Sequence, residues 1–409
     1  MARRAGVRQP RPTAYIAALD GVRGLSAVAV LVAHAALATG ATRHGPLAEI
    51  LSHLEVAVAM FFALSGYLIY RPFIAAQYGL RPQPRMRDYA RRRGLRAVPA
   101  YWVALTFFLL VPGIASVVPE LGKVDAKNAW IFYGFLQVYD GDLAIAGIGQ
   151  AWTMCCEVAF YALIPVFALL VRRLGAGPKR LRLELALLLA LGAASTVARV
   201  VVFGVAPDNG YPFALTPPAT LLWLVAGMAL ATISIAAPDA RPVAWIGRHP
   251  AASYALASAL FVLNAVIGPV DSAARHTPLR FGLDYVAYAA IAFLVMAPAV
   301  LGTARSRVSA LLSARPLRFL GRIAYGFYLW HIVILVLLMR HGATRLLGGD
   351  RAFASLVLSG LICSVIAGAV SYRLVERPLL ERFSGRGRGP QRPAVRPLAE
   401  SPASPRRAA

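Results

Sequence analysis

The chain has 409 residues, of which 58% are hydrophobic and only 15% are charged. This low charged share argues against a soluble domain and is typical of a polytopic membrane protein. The net charge of +25 does not indicate nucleic-acid binding, because the arginines collect in short loops between apolar segments, where basic residues set membrane orientation. The three cysteines have no metal-ligand spacing and form no disulfide framework, so we expect no metal site.

Ten apolar segments predict an all-α fold, a polytopic bundle of transmembrane helices. A helix needs about 20 mainly apolar residues to cross a bilayer. The segments that satisfy this length are 22–41, 55–75, 97–117, 152–172, 184–204, 215–235, 250–269, 281–302, 323–340 and 354–375. The third is the weakest, because it contains Pro99 and Pro112. The apolar stretch 129–139 is too short to span, so we expect it at the interface or packed back into the bundle.

The distribution of arginine predicts the orientation of these helices. Basic side chains are concentrated in the loops 71–96, 172–183 and 303–322, which lie on the same side as both termini if ten spans are present. The alternate loops contain fewer basic residues, with a mild exception at 341–353. The positive-inside rule then predicts that both termini are cytoplasmic, in a multi-pass protein of the plasma membrane.

Three regions follow from this pattern. Residues 1–18 are predicted to be a basic cytoplasmic segment, 19–383 the membrane domain and 384–409 a basic cytoplasmic tail. The tail is rich in Pro, Gly, Arg and Ala and lacks hydrophobic periodicity, so we predict that it is disordered. No loop between the predicted spans is long enough to contain an added soluble domain.

Arg23 and His34 place two ionisable groups on one face of the first predicted span. They are eleven residues apart, which separates them by about 16 Å along a helix axis. Such groups indicate function, because lipid penalises an unpaired charge. A neutral histidine in a dry cavity is suited to act as a general base toward a hydroxyl, and a guanidinium suits a phosphorylated ligand. Alternatively, Arg23 reaches the lipid headgroups and His34 only hydrogen-bonds a neighbouring helix.

Glu157 is a candidate partner of His34. It lies about five residues into the fourth predicted span, which enters from the outer side, so its predicted depth is close to that of His34. A carboxylate beside a histidine fixes the tautomer of the ring and stabilises its protonated form. The alternative partner of Glu157 is Arg199, near the outer end of the fifth predicted span.

Arg93 and Arg96 lie one helical turn apart at the predicted cytoplasmic edge of the third span. This is the geometry of a phosphate clamp, and it is also that of an ordinary basic flank of a membrane helix. The two alternatives stay open on spacing alone.

Two other spans contain polar side chains that are candidates for a cavity. In the ninth, Tyr325, Tyr328 and His331 recur every three residues, a stripe that either packs between helices or lines a cavity. In the second, Ser65 precedes Gly66, which predicts a close approach of two helices. The residues around Ser65 do not form the sharp glycine-flanked turn of a serine nucleophile.

Six motifs of the chain, in the same order, resemble those of the acyltransferase-3 family of integral membrane O-acyltransferases. They are Leu19–Gly24 with Arg23 and His34, Phe61–Ile69, Arg93-x-x-Arg96 with Pro99 and Tyr101, Trp152–Tyr161 with Glu157, Phe319–His331, and Ser371–Pro378. Each motif alone is weak, but six in the right order are strong. The departures are small: Thr153 replaces the usual serine, and Cys155-Cys156 stand where other residues are common.

The resemblance implies a membrane enzyme that moves an acyl group, commonly acetyl, from cytoplasmic acyl-CoA to a hydroxyl of a sugar, glycolipid or glycosylated natural product. Acyl-CoA is then a co-substrate, and no bound cofactor is expected. The resemblance implies that His34 is the base and that the donor is held by Arg23, Arg93 and Arg96. Glu157 is the second predicted catalytic residue, and the possible cavity residues are Ser65, Tyr325, Tyr328 and His331. We do not expect the hydrolase-like extracytoplasmic domain that some members carry.

Two functions of other classes remain open. A proton-coupled transporter or flippase of a small metabolite or glycolipid would use His34, Glu157 and Arg199 as a proton relay, and would move its substrate without acyl-CoA. A membrane scaffold would use the same polar residues only for structure, so that no single polar substitution would change an activity.

Overall fold

A computed structural model describes residues 15–43, 47–111, 113–175, 177–267, 277–302, 306–342 and 349–383. These residues form α-helices and short helical turns, with no strand among them. The predicted disordered tail and most of the predicted N-terminal segment lie outside the described residues.

The helices are numbered in chain order. They are α1 (Ala17–Thr39), α2 (Ala48–Ser52), α3 (Val56–Gln77), α4 (Met86–Leu110), α5 (Ile114–Val117), α6 (Pro119–Gly122), α7 (Ala129–Tyr133), α8 (Trp152–Arg172), α9 (Pro178–Val205), α10 (Pro207–Ala214), α11 (Pro217–Ala236), α12 (Arg241–Arg248), α13 (Pro250–Ile267), α14 (Pro278–Leu301), α15 (Arg307–Leu312), α16 (Arg315–Arg340), α17 (Gly349–Ser371) and α18 (Arg377–Phe383). A π-helical turn, Tyr372–Glu376, joins α17 to α18.

In the described part of the chain, nine helical segments are long and apolar enough to cross a membrane. They are Ala17–Thr39, Ala48–Gln77, Gly149–Arg172, Pro178–Val205, Gly210–Ala236, Pro250–Ile267, Pro278–Leu301, Arg315–Arg340 and Arg351–Arg382. These segments match nine of the ten predicted spans and confirm an all-α polytopic bundle.

The third predicted span is wrong in its bounds and is not among these nine segments. Helix α4 begins at Met86, before the predicted start of the span. Its first turns are rich in arginine, so their hydropathy resembles that of a loop although they are helical. It ends at Leu110, where Val111 becomes extended and Gly113 takes a φ of 85°, in the left-handed region that favours glycine. Residues 114–117 therefore form a separate short helix.

The segment between α4 and α8, which contains the apolar stretch 129–139, packs back into the bundle. This is the second of the two placements expected for that stretch. Phe132 and Gln137 are completely buried. The Tyr101 hydroxyl on α4 donates a hydrogen bond of 3.1 Å to the Phe132 carbonyl. The Gln150 amide donates to the carbonyls of Tyr328 and Leu329, in the middle of α16, at 2.7 and 3.0 Å. Helix α8 consequently begins inside the bundle rather than at its surface.

Two pairs of helices approach closely at glycines and position the site. Helices α3 and α11 cross where a Cβ on Gly66 would overlap the carbonyl oxygen of Leu224, which confirms the close approach predicted there. Helices α1 and α16 cross at Gly24 and Gly321, where a Cβ on either would overlap the facing backbone. Helices α1 and α16 run in the same direction, because His34, further along α1 than Gly24, meets His331, further along α16 than Gly321.

Candidate active site

A cavity of about 90 Å³ lies between α1, α3, α4, α8 and α16. Its volume is enough for several water-sized groups. Seven of the nine predicted site residues line it: Arg23, Ser65, Arg93, Arg96, Glu157, Tyr325 and Tyr328. The other two, His34 and His331, are not among the lining residues and lie just beyond it.

One end of the cavity is strongly basic. Arg23, Arg93 and Arg96 line the cavity together, and Arg23 interacts electrostatically with the other two. Asp20 holds Arg23 from the same helix, with a 3.2 Å ion pair, and itself accepts a hydrogen bond from the Tyr15 hydroxyl. Three guanidinium groups thus converge where one lining carboxylate, that of Glu157, is present. Such an arrangement attracts a multiply charged anion such as a phosphate.

The Glu157 carboxylate is held within the cavity wall. One of its oxygens accepts hydrogen bonds from the Ser65 hydroxyl at 3.2 Å and the Tyr161 hydroxyl at 2.9 Å. The Tyr161 ring also lies under the Arg93 guanidinium, at 5.9 Å from its centre. Glu157 therefore connects α3 and α8 to the basic end of the cavity.

Glu157 contacts neither of its two candidate partners. Among the described residues, Glu157 has no hydrogen bond to His34 and no ion pair with Arg199. The predicted depth of Glu157 requires that α8 enter from the membrane surface, whereas α8 begins inside the bundle. The Tyr161 carbonyl in mid-helix accepts a bond from Tyr89 in the first turn of α4, which places this part of α8 at the basic end.

Arg199 is instead satisfied by backbone and aromatic groups. It donates hydrogen bonds to the carbonyls of Ala214 and Ala219, at 3.3 and 3.2 Å. Its guanidinium lies 4.1 Å from the centre of the Phe281 ring and 4.7 Å from that of Tyr285. This buried arginine joins α9 to α11 and α14.

His34 and His331 form a pair between α1 and α16. Their ring centres are 5.1 Å apart, and Nε2 of His331 lies 3.3 Å from Nδ1 of His34. His331 is completely buried, and its Nδ1 lies 2.7 Å from the Tyr328 carbonyl. Nδ1 of His34 lies 2.8 Å from the Val30 carbonyl.

These contacts determine where each neutral ring carries its proton. A carbonyl only accepts, so Nδ1 of His331 must be protonated and its Nε2 must hold a lone pair. By the same reasoning, Nδ1–H of His34 donates to Val30 and is shared with Nε2 of His331. The free lone pair of His34 is then on Nε2, the atom able to accept a proton. The backbone and a second histidine thereby supply the orientation expected from Glu157.

Tyr328 links the cavity to the histidine pair. Its ring lines the cavity and lies 5.5 Å from that of His331, one helical turn away on α16. Its hydroxyl hydrogen-bonds Thr153 at 2.9 Å and the Gln150 carbonyl at 3.0 Å. The cavity thus extends from the arginines to Tyr328, whose ring contacts that of His331.

Comparison with known proteins identifies the family. The family model for the acyltransferase-3 domain, described as an acyltransferase domain, matches residues 16–373. The chain belongs to the acyltransferase-3 family. No solved structure matches it.

Proteins similar to this chain come from several bacteria. The peptidoglycan O-acetyltransferase OatA of Listeria monocytogenes is 26% identical over 381 residues, which are 89% of this chain and 56% of that protein. The exopolysaccharide production protein ExoZ of Rhizobium meliloti is 28% identical over 81% of this chain and 90% of its own length. The acyltransferase MdmB of Streptomyces mycarofaciens is 25% identical over 93% and 95%. The chain therefore spans about half the length of OatA and nearly all of ExoZ and MdmB.

The structure also adds contacts that the acyltransferase-3 motifs did not reveal. Tyr161 is four residues after Glu157, so helical spacing alone places the two on one face and could have found this bond. Gln150 precedes α8, and its buried contact with α16 has no signal in the sequence. Glu376, in the last motif, is buried at the π-helical turn.

Proposed function

We propose that this protein is a membrane O-acyltransferase that moves an acyl group from acyl-CoA to a hydroxyl of a carbohydrate, glycolipid or glycosylated natural product. The names of OatA and ExoZ support a carbohydrate acceptor and acetyl as the acyl group. The observation that carries the proposal is the single cavity that joins three arginines to a tyrosine in contact with the His34–His331 pair.

The donor binds with its phosphates at the basic end. Arg93 and Arg96 are one turn apart on α4 and converge with Arg23 from α1, so each can hold phosphate oxygens through charged hydrogen bonds. The thioester then points along the cavity toward Tyr328. Arg23 and His34 are about 16 Å apart along α1, a distance that the extended arm of acyl-CoA covers. We propose that the protein lies in the plasma membrane and that this basic end faces the cytoplasm, in accordance with the positive-inside rule.

The transfer is direct. The acceptor hydroxyl oxygen attacks the thioester carbonyl while Nε2 of His34 takes the hydroxyl proton. The carbon–sulfur bond breaks, and the leaving thiolate takes the proton from the imidazolium, so the products are an ester and free CoA. His331 stabilises the imidazolium by accepting the Nδ1–H of His34. The bundle excludes water, which would otherwise hydrolyse the thioester.

In this proposal Glu157 acts at the donor end. Its carboxylate balances part of the arginine charge when no donor is bound and fixes Ser65 and Tyr161 in the cavity wall. Its substitution is therefore expected to affect donor binding as well as turnover.

The test is mass spectrometry of glycans, lipids and metabolites from cells that carry the gene, lack it, or carry His34→Ala. We expect one acyl modification to be absent from the deletion strain and from His34→Ala. His341→Ala is the matched control, because His341 makes the same bond to the carbonyl four residues earlier, at 2.8 Å, but is exposed. Normal acylation in membranes that contain His34→Ala would refute the proposal. Substrate movement across vesicles without acyl-CoA, abolished by His34→Ala, would favour the transport alternative.

A further inference from the structure

A second cavity lies on the opposite side of α16 from the candidate active site. Its volume is about 250 Å³, and it runs between the start of α16 and the π-helical turn after α17. Its polar lining is Arg322, Tyr372, Arg373 and Arg377, and its apolar lining is Phe319, Ile323 and Ala369. We call this feature the α16–α17 groove.

The groove is separate from the acyl-transfer cavity although both are basic. Ile323 lines the groove, whereas Ala324 and Tyr325 line the cavity. The Tyr325 hydroxyl donates to the Ala97 carbonyl and closes the gap between α16 and α4. The Glu376 carboxylate is buried and interacts electrostatically with Arg96 on the cavity side. A ligand of the groove is therefore not the acyl group in transfer.

The charges of the groove are largely unmatched. Arg377 is paired with Glu381 on α18, at 3.0 Å. Within the described residues, Arg322 and Arg373 have no ion pair, and both are exposed. The groove therefore offers two guanidinium groups and a tyrosine hydroxyl to an anion.

The surface that leads to the groove is apolar. On α17, Leu358, Ile362, Ile366 and Val370 recur every four residues and are 62%, 53%, 58% and 49% exposed. The stripe is about 18 Å long, which is slightly more than the hydrocarbon depth of one leaflet. It ends at Ala369 and Arg373, which line the groove. An apolar face that ends at arginines near the membrane edge fits an amphiphile with an anionic head.

We propose that the α16–α17 groove binds the phosphate of an anionic phospholipid, whose acyl chain lies along the apolar stripe of α17. A free phosphate or the phosphates of acyl-CoA would use the same arginines but would not need the stripe or the apolar floor. The proposal does not depend on acyl transfer, because none of the groove residues belongs to the candidate active site.

The experiment is native mass spectrometry of the full chain in detergent with dioctanoyl phosphatidylglycerol, dioctanoyl phosphatidylcholine, inorganic phosphate or CoA. We expect retention of phosphatidylglycerol over phosphatidylcholine. The variant Arg322→Gln/Arg373→Gln should weaken phosphatidylglycerol binding by roughly thirtyfold, since each arginine near an anionic headgroup contributes about fivefold. Arg241→Gln/Arg315→Gln removes the same charge from exposed helix starts outside the groove and should change binding less than twofold.

A second variant tests the groove without a change of charge. Ala369→Phe fills its apolar floor and should also displace phosphatidylglycerol. Equal loss in the groove and control double variants, or equal retention in both, would overturn the proposal. So would displacement of phosphatidylglycerol by millimolar inorganic phosphate, or an effect of the groove variants on CoA alone, because either result assigns the groove to a free phosphate or to CoA.

Discussion

Substitution of His331 tests whether the histidine pair is part of the catalytic machinery. His331→Leu removes the acceptor of the His34 Nδ1–H but adds no polar group to a completely buried site. The Tyr328 carbonyl keeps a second donor, the Gln150 amide at 2.7 Å, so the backbone of α16 is not left unsatisfied. A hydrogen bond to a charged group contributes about 1.5–3 kcal/mol. Because this one is 3.3 Å long and shared with Val30, we take the lower value, which corresponds to about a tenfold decrease in kcat.

The assay is steady-state acyl transfer by the purified chain, with kcat and the KM for acyl-CoA determined separately. His331→Leu should lower kcat about tenfold and leave KM nearly unchanged, because the arginines that we propose hold the donor phosphates lie at the other end of the cavity. His331→Gln should recover part of the loss, since its amide oxygen can accept the same hydrogen. A kcat within twofold of wild type for His331→Leu, or a change confined to KM, would show that the pair is only a packing contact.

Two further substitutions test the donor end and the helix packing. Arg96→Gln should raise the KM for acyl-CoA about tenfold or more. Arg87 is exposed in the first turns of the same helix, so Arg87→Gln should leave this KM unchanged. Equal effects of the two substitutions would contradict a specific phosphate site. Gly66→Val should destabilise the protein by about 1–3 kcal/mol and lower its melting temperature in detergent, because the new side chain overlaps the backbone of α11. Gly94→Ala, with open space around it, is the control, and an equal decrease there would refute the close contact.

The sequence predicted the membrane helices and the residues of the cavity, because both follow from local pattern. An apolar run of sufficient length predicts a membrane span whatever the helix packs against. An ionisable residue inside such a run must face protein or water. That reasoning was sufficient for Arg23 and Glu157. It was not sufficient for the start of α4, because arginines at a membrane edge have the same hydropathy in a helix as in a loop.

The partners of the site residues could not be predicted, because they depend on depth. The apolar pattern predicts the depth of Glu157 only if α8 starts at the membrane surface. The buried Gln150 shows why this failed: the chain before α8 enters the bundle and bonds the middle of α16. No local pattern of apolar residues records such a contact, since it joins segments 178 residues apart. The same reasoning explains why the His34–His331 contact was not anticipated.

The glycines at which α1 and α16 cross, Gly24 and Gly321, help to position residues of the candidate active site. The His34 and His331 rings can meet only if the backbones of α1 and α16 are close together. Gly24 and Gly321, which precede the two histidines on their helices, allow that approach. The same crossing fixes Arg23, which is adjacent to Gly24, relative to the cavity. One helix pair therefore sets the position of the arginine that we propose binds the donor and the contact of the histidine that we propose acts as the base. A larger side chain at Gly24 would separate the helices and shift both Arg23 and the His34–His331 pair, so these glycines set the geometry of the candidate active site although they do not line its cavity.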